Sequence, residues 1–359
     1  MESAKMLKIK TEELQKIVSQ LSTLSPNKLL EITRYWHIAG DKEKTIFAAY
    51  DGSNFVKVTY DKPSDLDVIV KAEQFGKLID RTTVAEVTLK KEETSLTVIA
   101  NGEYKVDIVQ EDEEYPNFDE LLKTLPEPEL LAPSIFSKIV NVNASAVSRS
   151  AADGIYTGYL IHPDKAITTD AIRVCINPIE SISQPALVPP TLINILASID
   201  SDKIKFFMLE NEAIYCQASN IEVYGKLMEG MDEYVDVSQV AETEFPGTIA
   251  LPTQNIQSII ERLTLFMNAF DRGSVVFNFT KDYLEVSTTT GSYEKIKYFT
   301  TAGQAKATVE FKCVLNSILL KDIISTINDD HFDVSYGNEA LIKIESNKVE
   351  YYLALSEEE

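Results

Sequence analysis

Val68-Ile69-Val70-Lys71-Ala72-Glu73-Gln74-Phe75-Gly76-Lys77-Leu78-Ile79 reads as a short apolar strand that runs straight into a helix with Phe75, Leu78 and Ile79 as its seam. The apolar period changes from two to about 3.6 inside the stretch, which separates the two kinds of element. The same cassette recurs along the chain. Leu7-Lys8-Ile9 precedes Leu14, Ile17 and Val18, and Leu130-Leu131 precedes Phe136, Ile139 and Val140. Leu187-Val188 precedes Ile193 and Leu196, and Ile249-Ala250-Leu251 precedes Ile256, Ile259 and Ile260. A sixth copy begins at Val309-Glu310-Phe311, with its seam (Leu320, Ile323, Ile324, Ile327) about four residues late. The copies start near Leu7, Val68, Glu129, Ala186, Ile249 and Val309, a repeat of roughly 60 residues.

At 359 residues the chain is too long for one ordinary core and fits two or three domains. Its apolar fraction is that of a soluble globular protein, no apolar run is long enough to span a bilayer, and Met1 to Lys5 hold no signal-peptide core. Cys175, Cys216 and Cys313 are odd in number, far apart and set in apolar patterns, as reduced core thiols of a cytoplasmic protein would be. His37, His162 and His331 are equally scattered, so neither a metal nor any other cofactor is expected. The net charge of −22 argues against nucleic acid if it is spread evenly. Basic residues gathered on one internal face would reverse that, with the acidic exterior keeping nucleic acid off every other surface.

In chain order, Thr11 is placed to cap a first helix that Ser25-Pro26-Asn27 ends. Strands are expected at Leu29 to Ile38, Thr45 to Tyr50 and Phe55 to Tyr60, then, after the second cassette, at Ala85 to Lys90, Ser95 to Ala100 and Tyr104 to Val109. The Asn101-Gly102 pair between the last two marks a hairpin. Leu125-Pro126-Glu127-Pro128 and Glu242-Thr243-Glu244-Phe245-Pro246-Gly247 read as joints. The class is therefore α+β with antiparallel sheets, in three domains of 1–125, 126–245 and 246–359, each carrying two helices on one face of its sheets.

At this point the chain resembles a family, the bacterial DNA polymerase III β sliding clamp, over essentially its whole length. Glu113-Glu114-Tyr115-Pro116-Asn117-Phe118 is similar to the acidic, aromatic and proline signature that closes the family's first domain. Thr168-Thr169-Asp170-Ala171-Ile172-Arg173-Val174 stands where the family has Ala-Thr-Asp-Gly-His-Arg-Leu, and Leu187-Val188-Pro189 matches its Val-Pro before the fourth helix. Lys226-Leu227-Met228-Glu229-Gly230, followed by Tyr234, is similar to a further segment. Ala171 and Ile172 replace the family's Gly and His, a proline is missing before Tyr234, and the end, Tyr352-Leu353-Ala354-Leu355-Ser356-Glu357-Glu358-Glu359, is acidic where the family's is apolar. Such departures suit a divergent clamp from a phage, a plasmid or a distant lineage.

The resemblance implies a head-to-tail homodimeric ring whose helices line a hole for double-stranded DNA, bound without regard to sequence. Its other partners would be a DNA polymerase and a clamp loader. Topological linkage holds such a ring on DNA, while weak phosphate attraction lets it slide. DNA-facing residues would be Arg149, Lys16, Lys71, Lys77, Arg81, Lys138 and Arg262, with Arg272, Lys312 and Lys321 beside the same helices. Taken singly, each of these is as readily explained as a solvated helix cation. A groove for apolar peptides would be built from Tyr156, Thr169, Ala171, Ile172, Arg173, Val174, Val237, Gln239, Tyr352, Leu353, Ala354 and Leu355. The same alternation also describes plain strand core. Leu265 and Phe266 would pack across the dimer boundary near Val106 and Ile108, and Glu357 to Glu359 would steer basic-flanked peptides to the groove. No phosphate-binding glycine loop, HExxH, GxSxG or CxxC pattern occurs, so no enzymatic activity is expected. A clamp-fold peptide scaffold that does not encircle DNA is the alternative, favoured if the helix faces are neutral or acidic.

Overall fold

The computed structural model describes residues 6–109, 115–118, 121–210, 212–267, 273–297 and 309–356. All six cassettes form a strand that passes into a helix with at most two residues between. The strands are Met6–Lys10, Asp67–Lys71, Glu129–Leu131, Ala186–Val188, Gly247–Pro252 and Phe311–Asn316. The helices are α1 (Thr11–Leu21), α2 (Ala72–Asp80), α3 (Ser134–Asn143), α4 (Pro190–Ala197), then, after a single turn α5 (Ser238–Ala241), α6 (Thr253–Thr264) and α7 (Ser317–Ile324). In the founding cassette Val68 and Val70 are buried, as are Ala72, Phe75, Gly76 and Ile79 of α2. Leu78, expected in the seam, is only half-buried. Gly76 takes that side of the helix, because a Cβ there would meet the Trp36 ring at 3.1 Å. The late seam of the sixth copy has a simple cause. Its strand starts only at Phe311, two residues after Val309, and runs to Asn316, which caps α7 by accepting from Ile318 N (3.0 Å) and Leu319 N (3.2 Å).

Two local expectations are corrected. Thr11 does not cap α1; Lys10 holds the cap position, and the Thr11 hydroxyl donates to Val84 O. The strand read from Leu29 begins only at Tyr35. Glu31–Arg34 forms one 3-10 turn, fixed by the Thr33 hydroxyl, which donates to Leu30 O (2.6 Å) and accepts from Asn27 N (2.9 Å). A side chain that satisfies backbone groups locally competes with strand pairing.

The chain forms two compact units. The first comprises Met1–Ser137 and Pro189–Met228. Its smaller sheet orders Met6–Lys10, Glu86–Lys91, Ser95–Ile99 and Glu103–Asp107. Its larger sheet has eight strands, in two halves joined where Asn54–Tyr60 pairs with Ile221–Lys226. The second unit comprises Lys138–Val188 and Glu229–Glu359. It repeats the plan, with four strands ending at Tyr293–Lys297, and eight strands joined where Arg173–Pro178 pairs with Val349–Ala354. Every pairing is antiparallel. One strand face packs beneath the helices. In the second unit that core gathers Ile256, Ile260, Leu263, Leu320, Ile323, Tyr351 and Leu353.

The joint in the first unit is close enough to test. Gly225 pairs with Asn54, and a Cβ on Gly225 would lie 2.4 Å from Leu192 Cδ1 of α4 and 2.6 Å from Asn54 Oδ1. Gly225→Ala is therefore expected to lower stability by about 1–3 kcal/mol in urea denaturation, the usual cost of forcing a methyl into a filled core. The cysteines are all buried, and burial pushes the Cys313 thiol up to about 12 and those of Cys175 and Cys216 higher still. Their thiolate forms are suppressed accordingly.

Candidate functional site

The site is built on one tight turn of the second unit. Lys165–Thr169 and Arg173–Pro178 are paired strands, and Asp170 closes the turn between them. Its Oδ1 accepts from Ile172 N (3.1 Å) and Arg173 N (2.9 Å), and its Oδ2 accepts from Arg173 Nε (2.9 Å). Ala171 sits at φ 69°, in the left-handed region, so a residue without glycine's freedom is held there by the surrounding bonds. Ile172 is left 52% exposed at the tip, whereas Arg173 is only 4% exposed.

A guanidinium with so little water needs a full set of acceptors. Arg173 finds them on Asp170 and on α7, donating through Nη1 to Leu319 O (3.1 Å) and Asp322 Oδ2 (3.3 Å). The same Asp322 oxygen also accepts from Arg149 Nη2 at 3.3 Å. Arg173 thus ties the turn to α7, and its role is to position the surface around it. Neither Leu319 nor Asp322 was legible as a site residue, since nothing in sequence links Arg173 to a helix so far along the chain.

Strand alternation decides which groups reach the surface. Thr169, Val174 and Tyr352 pair in a row across adjacent strands, with Thr169 and Tyr352 buried and Val174 half-buried. Leu353 and Tyr351 point the other way into the core, so the expectation that Leu353 lines a groove is corrected. Thr169 N donates to the Tyr234 hydroxyl (3.2 Å), and Tyr156 meets the Tyr234 ring edge-on at 5.5 Å. Val237 is buried and Gln239 exposed. The chain end is pinned by Ala354 N to Ile172 O (2.9 Å), Leu355 N to Ala340 O (2.8 Å) and Ser356 N to Val314 O (2.8 Å). That places half-buried Ala354 and Leu355 beside the turn. Glu357 to Glu359 lie outside the described residues, as does Arg272.

The expected DNA-facing cations are only in part committed to carboxylates. Lys77 binds Glu73 (2.5 Å), Arg262 makes a two-pronged pair with Glu294 (2.8 and 2.7 Å), and Lys321 binds Glu261 (3.1 Å). Among the described residues Lys16, Lys71, Arg81 and Lys138 make no ion pair. The six cassette helices carry Lys16, Lys77, Lys138, Arg262 and Lys321 against Glu12, Glu13, Glu73, Asp80, Glu261 and Asp322. They are nearly neutral in a chain of net charge −22. The acidic excess therefore lies off the helices.

Of the residues expected at a dimer boundary, Leu265 is 79% and Phe266 62% exposed, directly after α6. Val106 is buried within its own sheet at 1%, and Ile108 bridges Val70, so Val106 cannot receive them. Exposed Tyr104 is the outward group of that terminal strand, over a hollow of about 320 Å³ lined by Lys77, Leu78, Arg81, Thr82, Asn101 and Tyr104.

No family model matches the chain. Over 221 residues it is 23% identical to the Beta sliding clamp of two Streptococcus pneumoniae strains, a match covering 58% of this chain. That match spans only about half (57%) of those curated relatives' own length. Among solved structures, the β chain of DNA polymerase III from Streptococcus pneumoniae superposes with a TM-score of 0.85 at 18% identity, covering 98% of this chain and 100% of that one. The DNA polymerase sliding clamp of Bacillus subtilis gives 0.83 at 16% identity (99% and 100%). The β subunit of Thermotoga maritima gives 0.85 at 12% (99% and 100%). The chain carries the β sliding clamp fold from end to end.

Proposed function

We propose that the chain is a DNA sliding clamp, a non-catalytic processivity factor. Two copies close head to tail around duplex DNA and tether a polymerase, and a loader opens the ring. In this reading the residues 1–125, 126–245 and 246–359 are three equivalent domains, each contributing two cassettes. The observation that carries it is the sixfold strand-to-helix repeat, which follows solved β subunits over 98–100% of both chains. Among the described residues the strands Glu103–Asp107 and Tyr293–Lys297 are each last in their sheet, which suits a ring in which one copy's sheet continues into the next. Exposed Leu265 and Phe266 would then enter the hollow beside Tyr104. The turn at Asp170–Arg173, with Ile172, Val174, Tyr156, Ala354 and Leu355 around it, would take the apolar anchors of partner peptides. A site of action in the cytoplasm goes with this role, and no helix among the described residues is long and apolar enough to cross a membrane.

The near-neutral helices favour a second reading, a clamp-fold scaffold that binds peptides without encircling DNA. Retention on DNA separates the two. A clamp stays on nicked circular DNA after loading and runs off the same DNA once it is linearised. Equal loss from both forms would leave the scaffold. Because the helices are nearly neutral overall, the salt dependence of association is expected to be shallow, and Arg149→Gln should flatten it further while leaving peptide affinity and melting unchanged. An Arg149→Gln protein with the parent's salt slope would remove Arg149 from the DNA contact.

A further inference from the structure

The turn and strand pair that frame the site occur a second time, in the first unit. Asp51 Oδ1 accepts from Ser53 N (2.9 Å) and Asn54 N (2.7 Å), and Asp51 Oδ2 from Asn54 Nδ2 (2.9 Å). These are the bonds Asp170 makes to Ile172 and Arg173. Gly52, at φ 105°, stands where Ala171 stands. Lys226 N donates to Ser53 O (3.2 Å) and Leu227 N to Glu212 O (2.8 Å), matching the bonds of Ala354 and Leu355. The register then sets Tyr50, Phe55 and Tyr224 in the places of Thr169, Val174 and Tyr352.

What differs is the chain laid over that row. In both units a tyrosine anchors the passing segment. The Tyr115 hydroxyl donates to Tyr35 O (3.0 Å), and the Tyr234 hydroxyl accepts from Thr169 N. Three residues on stand Phe118 in one unit and Val237 in the other. The Phe118 ring lies 4.7 Å from Tyr224, 4.9 Å from Phe55 and 6.0 Å from Tyr50, with Leu122 and Leu125 packed on the same cluster. Apolar anchors seated across a three-residue row are the chemistry proposed for a bound peptide.

We propose that the first unit holds a second, latent peptide groove, occupied in cis by the strap that carries Tyr115, Phe118, Leu122 and Leu125. The proposal rests on reading the Asp170–Arg173 surface as a peptide groove. A tethered ligand acts at an effective concentration of roughly millimolar, so ordinary peptides in trans do not displace it. Removing the anchor exposes the row to peptides with an aromatic residue and leucines in the strap's own spacing.

The probe is a labelled synthetic peptide with the sequence of residues 115–125, titrated into the full chain by anisotropy and followed by thermal melting. Phe118→Val, which copies the other unit's residue, and Phe118→Ala are each expected to gain one site per chain over the parent. The gained site should persist when Ile172→Asp closes the second unit's surface, and disappear with Tyr224→Ala. Peptide should raise the melting temperature of either Phe118 variant by more than it raises that of the parent, a readout that serves even if the variants are less stable. No added site and no thermal rescue in either variant would overturn the latent groove and leave Phe118 as simple packing. Failure of the parent to bind peptide, with the site still gained in the variants, would count against the second unit's groove alone.

Discussion

Arg173→Ala is expected to destabilise the second unit by about 3 kcal/mol, seen as a melting-temperature drop of roughly 6–12 °C. Arg173 is nearly dry, so its removal strands the carboxylate of Asp170, 14% exposed, and takes a donor from Asp322, 28% exposed. The figure lies at the lower end of the range for broken buried pairs because Asp322 keeps some water. Arg173→Lys should recover little. One ammonium cannot hold Asp170 Oδ2, Leu319 O and Asp322 Oδ2 at once, whereas the guanidinium fork reaches all three. Freed from α7, the turn should also lose the register that presents Ile172, so peptide affinity should fall with stability. A melting temperature within 2 °C of the parent would mean that the fork does not hold the turn to the helix.

Leu265→Ala combined with Phe266→Ala is expected to turn dimers into monomers at micromolar concentration. The two side chains are 79% and 62% exposed, so truncation should leave the melting of the folded chain close to the parent's. Burying them in a partner would contribute about 1.5–3 kcal/mol each. Their loss then weakens each interface by roughly two to four orders of magnitude. Light scattering over a concentration series reads this directly. Dimers of unchanged affinity would place the boundary elsewhere and remove the hollow at Leu78 and Tyr104 from the assembly.

The surface around the Asp170–Arg173 turn, proposed as a groove, was legible in part, and the reason lies in how each residue acts. Thr169, Val174 and Tyr352 were recoverable because strand alternation puts them on one face. Leu353 was assigned to the same wall since it is apolar and adjacent, yet one step of the pleat sends it into the core. Val106 failed for the same reason. Which cations are free to meet a phosphate was not legible at all. Arg262 looks available on its helix, but Glu294, on a strand 32 residues on, takes both of its prongs.

Local periodicity by itself determined the cassettes. A strand whose apolar residues alternate and a helix whose seam recurs about once per turn are properties of neighbouring residues, so six copies could be counted and the antiparallel α+β class followed. Even the late start of the sixth was visible. The tertiary structure alone decided which halves share a sheet, where Asn54 meets Gly225 and Arg173 meets Leu353. Backbone hydrogen bonds between distant strands carry no residue-type signature. It alone decided, too, that Arg173 would spend its fork on Asp322, because a buried charge recruits whatever carboxylate the packing brings within reach.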